Sequence, residues 1–194
     1  MTDERKKWFD KYFANDYGKH DEKFDKYLNE TEERLINKAR SILNVTAEQT
    51  NYMAPIVIIQ PAKVDPKREI KFRYCADGPK GEKVEFDQFL MTILLFGHKE
   101  MYYYQGSVDL QFDFSTNDVV GKVSYKDVDN LEVNFAFDNI EKPKRELLDI
   151  VLTHKGNPIL SLVLRARPYT GESTEVKLTH KEQQVIDKLK KVFY

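Results

Sequence analysis

The chain has 194 residues, enough for one medium domain with an appendage or two small ones, and its 12 Phe and 11 Tyr supply a core and exclude overall disorder. A net charge of −1 excludes a global attraction to nucleic acid or to an anionic membrane. Cys75 is the single cysteine, which excludes an intrachain disulfide, and a chain of this length needs neither disulfide nor metal to be stable.

The N-terminus "MTDERKKWFDKYF" lacks the apolar centre of a signal peptide, and no run reaches 18 apolar residues, so a cytoplasmic protein is expected. Trp8, Phe9, Tyr12 and Phe13 fall at i, i+1, i+4 and i+5, which places four aromatics on one helical face. Thr2 or Asp3 suits the cap of that helix, and Gly18 breaks the pattern. A second helix is predicted from Phe24, Leu28, Thr31, Leu35, Ala39 and Ile42, spaced by threes and fours, with Glu, Lys and Asp on its other side. Both stripes are narrow. Residues 1–50 therefore read as a helical arm, with Trp8, Phe9, Tyr12 and Phe13 as its partner-binding or self-association face.

After Pro55 the period changes from 3.6 to 2, and residues 51–194 read as a β domain. "PIVIIQP" is a short strand bounded by prolines. "REIKFRYCADG" alternates Ile70, Phe72 and Tyr74 against Lys71 and Arg73, and makes Cys75 a small apolar filler. "SVDLQFDF" alternates cleanly, "STND" at 115–118 has the composition of a hairpin loop, and "LEVNFAF" repeats Leu131, Val133, Phe135 and Phe137. "ELLDIVLTHKGNPILSLVLRARP" predicts a hairpin turning at "HKGNP". The last segment, "THKEQQVIDKLKKVFY", predicts a helix with Thr179 and Glu182 as a capping box and an apolar stripe of Val185, Ile186, Leu189, Val192 and Phe193. Helices, seven to nine strands and one terminal helix favour a closed or nearly closed antiparallel structure with that helix over one open end.

Three stretches carry a resemblance. "LLFGHKEMYYYQG", "GKVSYKDVDNLEV" and "LLDIVLTHKGNPILSLVL", followed by the terminal helix, make residues 82–193 resemble the pleckstrin-homology-like superfold of bacterial and GRAM type. The resemblance implies an α+β chain in which the N-terminal helical arm precedes an antiparallel PH-like barrel capped by the C-terminal helix. It also implies a protein- or lipid-recognition scaffold. Lys71, Arg73, Lys80 and Lys83 do not match the basic signature of phosphoinositide-binding members, so lipid binding does not follow.

Chemistry is sparse. His20, His98, His154 and His180 pair with no Cys, Glu or second His at zinc-like spacing, and no nucleophile elbow, phosphate loop or dinucleotide fingerprint occurs. Asp127 and Asp129 suit backbone amides of a turn better than acid–base work. In "MYYYQ", Tyr103 points away from Tyr102 and Tyr104, which reads as a strand before it reads as a binding strip. No catalytic residue, metal or cofactor is expected, and the chain is not expected to be an enzyme. Residues 141–194 hold 11 Lys and Arg against 7 Asp and Glu, and Lys142, Lys144, Arg145, Arg165 and Arg167 are the candidates for an anion-binding patch. The expected function is a non-catalytic binding or scaffold module acting through protein–protein contacts. The alternatives are a small-ligand carrier or enzyme of nuclear-transport-factor-2-like cone fold, and a module recruited to anionic membranes.

Overall fold

The computed structural model describes residues 3–76, 82–139, 145–168 and 178–194, apart from the side chains of residues 82, 167 and 168. Among these residues it is an α+β protein with three α-helices: α1 (Asp3–Tyr12), α2 (Glu22–Leu43) and α3 (His180–Phe193). The strands are β1 (Tyr17–Lys19), β2 (Met53–Pro61), β3 (Phe72–Ala76), β4 (Glu82–Phe86), β5 (Gln88–Phe96), β6 (Glu100–Asp109), β7 (Phe114–Ser124), β8 (Asn130–Phe137), β9 (Arg145–His154) and β10 (Asn157–Pro168). Among the described residues they form three sheets, ordered β1-β3-β4, β2-β5-β6-β7 and β10-β9-β8, with no closed barrel. Seven to nine strands and a closed or nearly closed structure were expected; ten strands in three sheets are found among the described residues. The strand series did not reveal that β1, in the segment read as helical, draws β3 and β4 into a sheet of their own.

Two compact units share the chain. Unit one is residues 1–46, 61–93 and 104–120, and unit two is 47–60, 94–103 and 121–194. Residues 1–50, expected as an arm, thus fall mostly in a unit that also holds β3 and β4.

In unit one, Phe24, Thr31, Leu35 and Ala39 are the buried positions of α2, one stripe at spacings of seven and four, as its sequence requires. Asp21 caps the helix by accepting the Lys23 amide at 2.8 Å, and Asn44 ends it in the left-handed region at φ 54°. Helix α1 turns its aromatics onto α2: Phe9 is fully buried, Tyr12 and Phe13 nearly so, and Trp8 is half-buried. Phe9 and Tyr12 meet the Phe24 ring at 6.3 and 5.8 Å, and Trp8 stacks on Tyr12 at 4.7 Å. Arg5, also buried, lies over the Tyr27 ring and donates through Nε to the Leu110 carbonyl at 2.9 Å. The expected strand "SVDLQFDF" is broken at residues 110–113. There Asp109 accepts the Phe112 amide, and Asp113 takes a positive φ of 55°. The turn therefore comes before "STND", and Ser115–Asp118 lie within β7.

Unit two has one apolar core. Ile56, Ile58, Leu94, Phe96, Met101, Val123, Leu131, Ile150, Leu152, Leu160 and Leu162 pack with Val185, Ile186 and Leu189 of α3. Strands β8, β9 and β10 form an antiparallel meander, with Leu131 opposite Leu152 and His154 opposite Asn157. The β9–β10 turn has Lys155 and Gly156 both at positive φ, as a two-residue hairpin turn requires. The capping box of α3 forms as predicted: Thr179 accepts the Glu182 amide while the Glu182 carboxylate accepts the Thr179 amide at 2.7 Å.

Candidate functional site

The β1-β3-β4 sheet of unit one presents two opposite faces. Arg73 and Cys75 of β3 and Lys83 and Glu85 of β4 face the buried side, where Tyr12 of α1, His20 and Asp25 of α2 meet them. The register partners Tyr17, Tyr74 and Val84, with Phe72 opposite Phe86, form the outer face. The sequence alternates Phe72 and Tyr74 against Lys71 and Arg73, which separates two faces without saying which is buried. In the structure the inward places belong to a polar network.

Glu85 is the centre of that network. Its side chain is 1% exposed and its two oxygens meet four donors. Oε2 accepts the Tyr12 hydroxyl at 2.5 Å and the Cys75 thiol at 3.3 Å. Oε1 meets His20 Nδ1 at 2.8 Å and Lys83 Nζ at 3.2 Å. The other ring nitrogen of His20 meets Asp25 at 2.7 Å, and Lys83 reaches the second Asp25 oxygen at 3.1 Å. With His20 protonated, two cations face two carboxylates, so the cluster is neutral and each charge has hydrogen-bonded partners.

The local pKa values follow from this. Burial opposes charge on His20, but its bonds to Glu85 and Asp25 prevail and hold the imidazolium above its ordinary value. Lys83 behaves alike: burial lowers it, and Asp25 and Glu85 more than compensate. Burial would lift Asp25, yet the Lys83 ammonium keeps it below the usual carboxylate range. Burial, with the neighbouring Glu85 charge, pushes the Cys75 thiol and the Tyr12 hydroxyl upward, so both are donors rather than nucleophiles.

His20, Asp25 and Glu85 offer ligand atoms all within 4.8 Å of one another, a spacing that a divalent cation could use. The cation position is taken, however, by the Lys83 ammonium between the two carboxylates, and a metal would have to displace both it and the ring proton. The network is a clasp that ties β4 to the start of α2. Sequence spacing did not reveal it, because its members come from α1, the turn before α2, α2 itself, β3 and β4. The only local cue was "EKVEF", whose charges alternate with apolar residues and fit either face equally.

The outer face is partly exposed, with Phe86 at its edge meeting the buried Phe89 ring at 5.9 Å. Tyr17 is 70% exposed, Val84 43% and Phe72 38%, and Tyr74 and Phe86 are half-buried. Tyr17 and Tyr74 stack at 5.2 Å, and Phe72 and Phe86 meet edge to face at 6.2 Å. The face carries four aromatics and a valine.

The residues singled out by sequence distribute differently. Phe9, Tyr12 and Phe13 are spent on the interior of unit one, and Trp8 is partly covered there. Lys142 and Lys144 lie outside the described residues, as does the Arg167 side chain. Arg145 is exposed at the start of β9. Arg165 is buried, and its guanidinium binds Glu182 through two nitrogens and Glu146 at 3.1 Å. A bulge between Val163 and Arg165 shifts the strand's parity and turns this cation inward, which strict alternation cannot foresee. Of the tyrosines in "MYYYQ", Tyr104 is fully buried and donates to Asp118, while Tyr102 donates to Glu100. Asp129 accepts the Lys155 amide, as its place in a turn suggested. Unit two has a cleft of about 130 Å³ lined by Val57, Ile59, Leu164, Lys181 and Val185 among others, below the roughly 300 Å³ at which small-molecule sites begin, and a wider, open one of about 510 Å³ lined by His98, Glu100, Tyr125 and Lys126 among others. Among the described residues no helix is long and apolar enough to cross a membrane.

The chain was compared with protein-family models, curated proteins and solved structures, and none of the three gives a match.

Proposed function

We propose that this protein is a non-catalytic recognition module that works through protein–protein contacts, and that the outer face of the β1-β3-β4 sheet is its contact surface. One observation carries the reading. The strands place Arg73, Lys83 and Glu85 on the buried side, where Lys83 and Glu85 pair with His20 and Asp25, and four aromatics on the outer side, with Tyr17 70% exposed. Exposed apolar side chains are ordinary when scattered, but a contiguous aromatic patch costs solubility and marks an interaction site when it persists. A PH-like scaffold in unit two is in keeping with this role, since its strands enclose an apolar interior that α3 completes.

The test is a paired affinity purification with the full chain and its Tyr17→Ser, Phe72→Ser double variant. A partner is identified, purified and titrated against both. The reading requires saturable binding to the unaltered chain and at least a tenfold loss in the variant, whose fold is checked by circular dichroism. Equal binding to both refutes the assignment of this face.

A further inference from the structure

We infer that unit two carries an anion site that takes the phosphoryl group of a phosphate monoester, independently of the contact surface proposed above. The site is the open cleft of about 510 Å³, within the roughly 300–1,000 Å³ of ligand sites. His98 and Lys99 line it from the β5–β6 turn, and Ser124 and Lys126 from the segment joining β7 to β8.

The donors of this cleft are free and its acid is not. The side chains of Lys99, Ser124 and Lys126 have no partner among the described residues, and His98 makes only a ring contact, with Tyr52 at 5.5 Å. Glu100 is the one carboxylate on the wall. Lys122 Nζ meets it at 2.9 Å, and the Tyr102 hydroxyl donates to it at 2.5 Å. The cleft thus keeps two unpaired ammonium groups beside a carboxylate that is already neutralised.

One residue fixes the two segments to each other. Tyr125 donates its amide to the Lys99 carbonyl at 3.0 Å and its hydroxyl to the Gly97 carbonyl at 2.7 Å. Its ring meets Phe193 of α3 edge to face at 5.6 Å, which anchors the pair on the core of unit two. A ligand therefore orders the lysine stems and not the backbone that carries them.

The donors select the ligand. Two ammonium groups, a hydroxyl and an imidazole match the three oxygens and nearly two negative charges of a phosphate monoester at neutral pH, whereas a carboxylate offers one charge to two cations. A nucleic-acid backbone calls for a line of cations, and the chain as a whole carries −1.

The experiment titrates inorganic phosphate into the full, nitrogen-15-labelled chain at constant ionic strength and follows the amide signals of residues 98–100 and 124–126 by NMR. Acetate is the control anion. Saturable shifts with phosphate are expected, at least about tenfold weaker or unsaturated with acetate. Lys99→Gln and Lys126→Gln should each weaken binding about fivefold or more, while Lys188→Gln, on the exposed side of α3, should leave it unchanged. All three substitutions lie on the surface, and circular dichroism melts verify the fold. Flotation with phosphatidylcholine vesicles, with and without phosphatidic acid, separates the sources of the phosphoryl group. Flotation that needs both phosphatidic acid and Lys99 with Lys126 assigns the site to a lipid headgroup, and its absence beside saturable phosphate binding assigns it to a soluble ester. No saturable phosphate shift, an equal response to acetate, or indifference to both Lys99→Gln and Lys126→Gln overturns the inference. A loss with Lys188→Gln as large as theirs overturns it too, since surface charge alone would then explain the shifts.

Discussion

Substituting Glu85→Gln removes the charge on which the unit-one clasp converges and leaves one carbonyl oxygen in place of two carboxylate oxygens. In the native chain Glu85 accepts from Tyr12, Cys75, His20 and Lys83 while its side chain is 1% exposed. The variant leaves His20 and Lys83 facing Asp25 alone, and Asp25 is 43% exposed and screened by water. Removing one partner of a buried ion pair costs about 3–5 kcal/mol, and the retained oxygen puts this case near the lower end. With a urea dependence of about 2 kcal/mol per molar, a loss of about 3 kcal/mol lowers the midpoint by roughly 1.5 M. Trp8 is the only tryptophan and stacks on Tyr12, so its fluorescence reports unit one selectively. The same variant should lower the His20 pKa, visible in the NMR titration of its ring protons, because one of its two carboxylate partners is gone. A midpoint shift below about 0.5 M, with the His20 titration unchanged, refutes the assignment of Glu85 as the centre of the network.

Three further outcomes follow from named contacts. His20 is held above its ordinary value in the fold, so its contribution is complete below the unfolded value of about 6.5 and is lost as pH rises through the folded one. The Trp8-monitored urea midpoint should therefore fall between pH 6 and pH 9, and His20→Gln should flatten that decline; parallel profiles contradict it. Arg165→Met removes a guanidinium that meets the buried Glu146 and Glu182 and should cost about 3–5 kcal/mol. The loss should appear as earlier melting of unit two by circular dichroism and as faster amide exchange in α3, and an unchanged melt contradicts it. A Cβ on Gly18 would lie 1.8 Å from Arg73 Nη2, so Gly18→Ala must displace a guanidinium that donates to the Tyr12 and Asn15 carbonyls. A loss of about 1–3 kcal/mol is expected in the urea midpoint, and a neutral substitution contradicts the close approach.

Sequence periodicity revealed most of the elements and few of the faces. Helix α2 was legible because Phe24, Thr31, Leu35 and Ala39 hold one stripe for four turns. Helix α3 was legible because its capping box is local. The turn at Lys155 and Gly156 was legible for the same reason. Strands β3 and β4 were found, but alternation says only that their two faces differ. Which face is buried depends on whether Tyr12, His20 and Asp25 arrive to meet Arg73, Lys83 and Glu85, and they arrive from segments up to 73 residues away. Strand β1, three residues long, has too little sequence to show a period. Arg165 was misplaced for a related reason, since one bulge reverses the parity of every residue after it. Of the aromatic stripe offered for docking on self or partner, Phe9, Tyr12 and Phe13 are buried within unit one.

The position of Cys75 gives the molecule an internal clock. Its sulfur is fully buried beside Tyr12 and Glu85, and burial keeps it in the unreactive thiol form. An alkylating reagent in solution can therefore reach it only when β3 parts from α1, so the labelling rate counts those openings one by one. Because the chain holds a single cysteine, the modified mass reads out that motion without ambiguity as to its source.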